Sequence, residues 1–252
     1  MKHSYKLVKK GLVTPYIITG IVILAIIIFY VFISYIAHKT PNVEATISLQ
    51  EQSKNIESYT KSCLTNLFED SLITIGLQGG YYNIPQEHFK HDFLKVAYSF
   101  NKKPVLLTKD DLKKEISYYI ASNINKYCNF KEFKGLIIDT NIINPNIILE
   151  NNSTILIPDY IVTVSKKKES IQLKDFKIEI TVRLNLIYDL ISLILQDLHR
   201  SNINIPSGMS IKIIQFDNSL LYLIFDEQSN IKNMQYKFLF AEKNIKSLPK
   251  FA

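Results

Sequence analysis

Residues 12–37 read LVTPYIITGIVILAIIIFYVFISYIA, 26 residues without a charge, closed by Lys9 and Lys10 on one side and by His38 and Lys39 on the other. About 20 apolar residues suffice to cross a hydrocarbon core of roughly 30 Å as a helix. At about 1.5 Å per residue this run reaches about 39 Å, so it spans with tilt or protrudes at one end. Ser34 and Ala37 offer small residues to a signal peptidase, but the apolar part of a secretory signal runs only about 7–15 residues. The stretch therefore reads as a retained transmembrane anchor. Tyr16, Tyr30 and Tyr35 near its ends suit the membrane interface, and Gly20 stands without a GxxxG partner.

Charge placement orients this anchor. The formal charge is +7, yet Lys2, Lys6, Lys9 and Lys10 all precede the apolar run, and the first acidic residue is Glu44. From Gly11 onward 26 basic residues face 23 acidic ones, so much of the excess is a short juxtamembrane tail of the kind that stays in the cytoplasm. A nucleic-acid binder needs a basic face on its folded part, and the one dense run, Lys166-Lys167-Lys168, reads as a solvated turn. No nucleic-acid partner is expected; the lipid bilayer and a membrane or cell-surface protein are.

Beyond the anchor roughly 210 residues remain, enough for one large or two small domains with a real core. The two cysteines, Cys63 and Cys128, have no CxxC spacing and no nearby histidine. In an oxidising compartment they read as one bridge across 64 intervening residues, worth about 4 kcal/mol through lost chain entropy. The alternative is two separately buried thiols.

Periodicity places both cysteines on helices. From about 53 to 75, Ile56, Tyr59, Cys63 and Leu67 recur at helical spacing, and Leu64, Phe68, Leu72 and Ile75 widen the stripe. Gly76-Leu77-Gln78-Gly79-Gly80 stops that helix; without a following Lys-Ser/Thr it is no P-loop. Residues 81–107 read as irregular. Glu87, His88, His91 and Asp92 sit close together there, and a shared helix face for the two histidines is the only metal-like spacing. Thr108 caps a second helix with Asp111 three residues on, its buried stripe running Leu112, Ile116, Tyr119, Ile120, Ile124, Tyr127, with Cys128 just past its end.

After about 136 the period becomes two. Phe176, Ile178, Ile180 and Val182 alternate with Lys177, Glu179, Thr181 and Arg183, a half-exposed strand that 160–164 can pair with through the 165–170 turn. A helix over 184–200, polar only along Asn185, Asp189, Ser192, Gln196 and Arg200, covers the sheet. Strands follow at 210–216, 219–226 and 233–241. Asn151-Asn152-Ser153-Thr154 holds two overlapping N-glycosylation acceptors, Asn151 and Asn152. The expected fold is α+β: an N-terminal transmembrane helix, then two amphipathic helices and an antiparallel sheet covered by a helix. The segments are a basic tail (1–11), the anchor (12–37), a linker (38–52) containing Pro41, a helical subdomain (53–135), a β portion (136–245) and a tail (246–252).

Three features in order, Lys9-Lys10-Gly11 before a long apolar helix, Glu57 to Leu64 (ESYTKSCL), and Gly76 to Tyr81 (GLQGGY) with the later Cys128, resemble a loose group of uncharacterised single-pass membrane proteins of small-genome (DPANN-type) archaea. The resemblance spans about half of the chain and implies an anchored protein, not an activity. The Lys-Lys-Gly element is also similar to the class III signal of archaeal pilins, which implies processing after Gly11 with Leu12 as the new N-terminus. Mature pilins usually carry glutamate at their fifth position, where this chain has Tyr16. Nucleophile elbows, HExxH and P-loops are absent. The expectation is a non-enzymatic extracytoplasmic domain without cofactor or metal, having a structural or interaction role at the cell surface. A pilin-like subunit and an anchored hydrolase are the alternatives.

Overall fold

The computed structural model describes residues 14–39, 48–101, 103–104, 107–196 and 203–243. Gly11, Pro41, Asp197, Arg200 and both termini lie outside the described residues. The chain divides into two units, residues 1–48 and 49–252.

The first unit contains helix α1, Thr14–Lys39. Its described side chains are Gly20 and 22–34, and the large apolar ones among them are exposed, from Ile33 at 49% to Tyr30 at 74%. Among the described residues no helix is long and apolar enough to cross a membrane. The run expected to span, 12–37, begins before the described residues, and its side chains are described only at Gly20 and 22–34.

The second unit is mixed α+β and is centred on helix α2, Leu49–Leu77. Its apolar stripe, read from the sequence, is its buried face: Ile56, Cys63, Leu64, Leu67, Phe68, Leu72 and Ile75 are all buried. The helix begins one turn earlier than its periodicity suggested, because Leu49 is buried and Ser53 Oγ donates to Gln50 O at 2.8 Å. Helix α3, Lys109–Tyr127, packs on it through Leu112, Ile116, Ile120 and Ile124. Thr108 is its N-cap, accepting from Asp111 N at 3.1 Å while its own hydroxyl donates to the Asp111 carboxylate at 2.7 Å.

Strands fill the rest. β1 (His88–His91), β2 (Leu94–Asn101) and β3 (Lys103–Pro104) precede α3. After it come β4 (Ile137–Thr140), β5 (Asn146–Leu149), β6 (Thr154–Ile157), β7 (Val162–Lys166), β8 (Glu169–Leu173) and β9 (Ile178–Ile180). Helix α4 (Leu184–Gln196) and the long strands β10 (Met209–Phe216), β11 (Ser219–Ile231) and β12 (Met234–Lys243) close the unit. A six-stranded sheet has the order β1-β2-β12-β11-β10 with β3 on β2, and two three-stranded sheets have the orders β4-β7-β8 and β5-β6-β9.

Three readings change here. The stretch 81–107, expected to be irregular, holds β1–β3 from His88 onward, and β2 lies parallel to β12, Tyr98 opposite Ala241. Segments 53–135 and 136–245 thus share a sheet and a core. The strand around Ile178 pairs with β6, and 162–166 pairs with β8 across the Lys166–Lys168 turn, so 160–164 and 176–182 are not partners. The sheets are antiparallel apart from the β2–β12 pairing. Residues far apart in the chain, Tyr98 and Ala241, meet there, a pairing that no local period announces.

α4 presents Leu184, Ile187, Leu190, Ile191, Ile194 and Leu195 to the main core, together with Tyr222, Ile224, Phe238 and Phe240. Its polar stripe turns to α3, where Lys109 reaches Asp189 and Asn185, both at 2.6 Å. On the opposite face of the large sheet a smaller cluster joins Phe89 and Val96 of the β1–β2 hairpin to Leu221, Leu239 and Ala241.

Candidate functional site

Cys63 on α2 and Cys128, the C-cap of α3, stand with Cα atoms 5.3 Å apart and are bridged. The helices bring them together because both residues lie on the stripe each helix buries against the other. Around the bridge Tyr59 donates to Asn129 O at 2.8 Å and accepts from Asn129 N at 3.1 Å. Its ring meets Phe130 and Phe133 edge-on, at 5.5 and 5.2 Å between centroids. The start of the chain's turn after α3 is therefore held by one covalent bond and one aromatic residue. A cavity of about 370 Å³ opens beside it, lined by Asn125, Asn129, Lys131, Thr140 and Tyr160 among others. Burial pushes the Tyr160 phenol up, partly offset by its bond with Thr140.

A second node is built by a bulge. In β11 the register with β12 jumps between Asp226 and Asn230, and the extra residues turn Asp226 and Ser229 into the protein. Arg183, which alternation had placed on the solvent side of its strand, is buried instead. Its guanidinium donates to both Asp226 carboxylate oxygens, at 3.0 Å through Nε, and to Ser207 O at 3.0 Å. Ser229 accepts from Arg183 N at 2.9 Å and donates to Asp226. A bidentate pair of this kind satisfies a buried charge only when every other lone pair is also used, and Gln228 N supplies a further donor to Asp226 at 3.1 Å. A serine bonded to a carboxylate has the makings of a nucleophile, but Ser229 and Asp226 are both 0% exposed.

A third node is Asp70 on α2, which accepts from Tyr127 of α3 at 2.5 Å and pairs with Lys232 in the β11–β12 turn. Partial burial works against its ionisation, yet the bonds from Lys232 and Tyr127 outweigh that and hold the carboxyl below its ordinary range. Next to it, burial raises Glu69, with Lys232 opposing. Tyr127 is pushed far up, first by its bond to Asp70 and then by burial. Tyr222, stacked on Phe240 at 4.4 Å and donating to the buried Glu242 at 2.9 Å, is likewise pushed far up, chiefly by burial.

The remaining sequence candidates are dispersed. His88 and His91 are the two ends of strand β1 and share no helix face: His88 Nδ1 is 2.9 Å from Pro85 O, and His91 is 3.3 Å from Asp92. No group of three or more His, Cys, Asp and Glu placed to hold a metal occurs among the described residues. The glycines after α2 answer to packing. A Cβ on Gly76 would lie 2.5 Å from Tyr236 Oη and 2.8 Å from Lys237 O. Gly79, at φ +78°, brings its backbone against Ala97, whose N donates to Gln78 O at 3.1 Å. Asn151 and Asn152 are exposed in the turn between β5 and β6. Sequence reasoning missed the Arg183–Asp226 node; its only trace was an arginine ending an alternating strand in a chain with two arginines in all.

Fold and nodes together define a disulfide-clamped α+β domain in which buried Arg183 is engaged with Asp226 and buried Tyr222 with Glu242. No protein-family model matches the chain, and no curated protein or solved structure matches it.

Proposed function

We propose that the chain is a membrane-anchored extracytoplasmic domain with a structural or interaction role at the cell surface, and that it does no catalysis. The observation that carries this reading is the Cys63–Cys128 bridge across α2 and α3, because such bonds persist in oxidising compartments and are rare in the cytosol. The uncharged run at 12–37 with lysines ahead of it supplies the anchor and the orientation. The resemblance to single-pass archaeal membrane proteins points the same way. Support for a non-catalytic role comes from the polar nodes: Asp226 is sealed from solvent and paired with the buried Arg183, and Asp70 is tied between two helices and a turn.

Fractionation with protease shaving of intact cells tests the reading. The chain is expected in the membrane pellet, released by detergent and not by salt, with its folded part cleaved from outside and its thiols unreactive to alkylation until reduced. A folded part protected in intact cells, or freely alkylated cysteines, would overturn it. Sequencing the N-terminus of the same preparation separates the pilin-like alternative, which requires Leu12 as the first residue.

A further inference from the structure

The one dense basic run, Lys166-Lys167-Lys168, is fixed in the fold where the chain enters the second unit. It forms the turn between β7 and β8, in which Lys166 stands opposite Glu169. Lys166 Nζ donates to Gln52 Oε1 at 2.9 Å, and Gln52 lies in the first turn of α2. Leu49, which opens that helix, is buried in the same core as Val162 and Val164 of β7. Residues 40–48 are all that separate Leu49 from Lys39, where α1 ends. Nine residues reach at most about 30 Å even when fully drawn out.

The fold itself does not ask for lysine in this turn. Among the described residues the non-glycine positions at positive φ are five aspartates or asparagines and two lysines, Lys167 at +56° and Lys232 at +51°. Asp and Asn tolerate that region because a short polar side chain can bond the nearby backbone. Lys232 is held by Asp70. Lys167 and Lys168 are exposed and meet no carboxylate among the described residues. Consecutive ammonium groups repel one another, and an anionic partner relieves that repulsion.

We propose that the tip formed by Lys167 and Lys168 docks on the anionic headgroups of the bilayer that holds residues 12–37. The proposal rests on the anchored reading, which is what sets a lipid surface within the reach of residues 40–48. A compact ammonium on a flexible stem suits a layer of phosphates that offers no fixed geometry. Each lysine at such a surface contributes on the order of fivefold in affinity, over a range of roughly 10 Å at 0.1 M salt.

The full chain is reconstituted into phosphatidylcholine vesicles, alone or mixed with phosphatidylglycerol, and lysine reactivity is read by brief acylation and peptide mass. Lys237 is the internal reference: it is exposed, and its carbonyl lies beside Gly76, about 36 Å along α2 from Gln52. Lys167 and Lys168 are expected to react several-fold more slowly in the anionic vesicles than in the neutral ones. Lys237 is expected to react equally in both, and raised salt to abolish the difference. Amide exchange of residues 165–170 is expected to slow in parallel in wild type and in Lys167→Arg/Lys168→Arg. In Lys167→Gln/Lys168→Gln it is expected not to slow, with the bridge and the circular dichroism as in wild type. Equal reactivity in both lipids, equal protection of Lys237, or an amide difference that persists in the glutamine variant would overturn the proposal. Protection by inorganic phosphate in neutral vesicles would overturn it too, since that marks a phosphate site and not a lipid surface. A chain that alkaline carbonate strips from both kinds of vesicle sinks the anchor along with the docking. A chain that stays embedded while its lysines react equally sinks the docking alone.

Discussion

At the scale of single residues, the tightest constraints are where one atom has no room or one charge has no water. Alanine at Gly76 places a methyl carbon against Tyr236 Oη and the carbonyl of Lys237, one of them rigid backbone. Overpacking of this sort costs about 1–3 kcal/mol, so G76A is expected to lower the midpoint of urea unfolding with an unchanged slope. Arg183 offers a sharper contrast. Removing one partner of a buried pair strands the other, so Asp226→Ala is expected to cost about 3–5 kcal/mol, whereas replacing both with apolar side chains recovers much of the loss. Denaturant midpoints of D226A and of R183M/D226L measure the difference. Asp70 carries a pH signature. Its carboxyl is held below the ordinary range, so it adds stability above its unfolded pKa, and that addition is lost as pH falls through the folded value. Asp70→Asn is expected to be less stable at neutral pH and to lose less between pH 5 and 3. Gly76 and the cap at Thr108 were visible as residue types in the sequence. Arg183 was not, because alternation assigns it to the solvent side and only the bulge of a strand some 40 residues later reverses that.

At the scale of elements, the helices declared themselves and the strand partners did not. Ile56 to Ile75 and Leu112 to Ile124 repeat at 3.6 residues, so their buried faces follow from the chain alone. Once two such faces oppose, Cys63 and Cys128 are close enough to bridge. β10, β11 and β12 could be drawn from alternation and from the short turn at Asp217, which takes φ +40°. The β1–β2 hairpin was missed because it buries little by itself: in β1 only Phe89 is buried, and its shelter comes from Leu221, Leu239 and Ala241 of distant strands. Reduction of the bridge belongs to this scale. Its sequence separation of 65 corresponds to about 4 kcal/mol of chain entropy. Cys63→Ser with Cys128→Ser is expected to lose stability of that order while keeping its far-ultraviolet circular dichroism, since the buried stripes of α2 and α3 remain.

At the scale of the whole molecule, phenols on separate elements are held in their protonated form. Burial pushes Tyr222 and Tyr236 far up, and Asp70 does the same for Tyr127. A phenol that keeps its proton in the folded state but loses it near pH 10 when unfolded contributes fully below that pH and progressively destabilises above it. Ultraviolet titration is expected to show Tyr222 and Tyr236 ionising only as the domain unfolds in alkali. Neither the alkaline limit nor the main core that helices and strands share could be read along the chain, since both depend on which distant segments meet. The alignment of β2 with β12 has one more outcome. A nascent chain leaving the ribosome or a translocation pore presents residues 94–101 long before 234–243 exist, so that hairpin waits, half-made, through the synthesis of well over half the domain. Until its last strand emerges the polypeptide is still a client of whatever chaperone or pore holds it, and truncation ahead of residue 234 leaves it one for good.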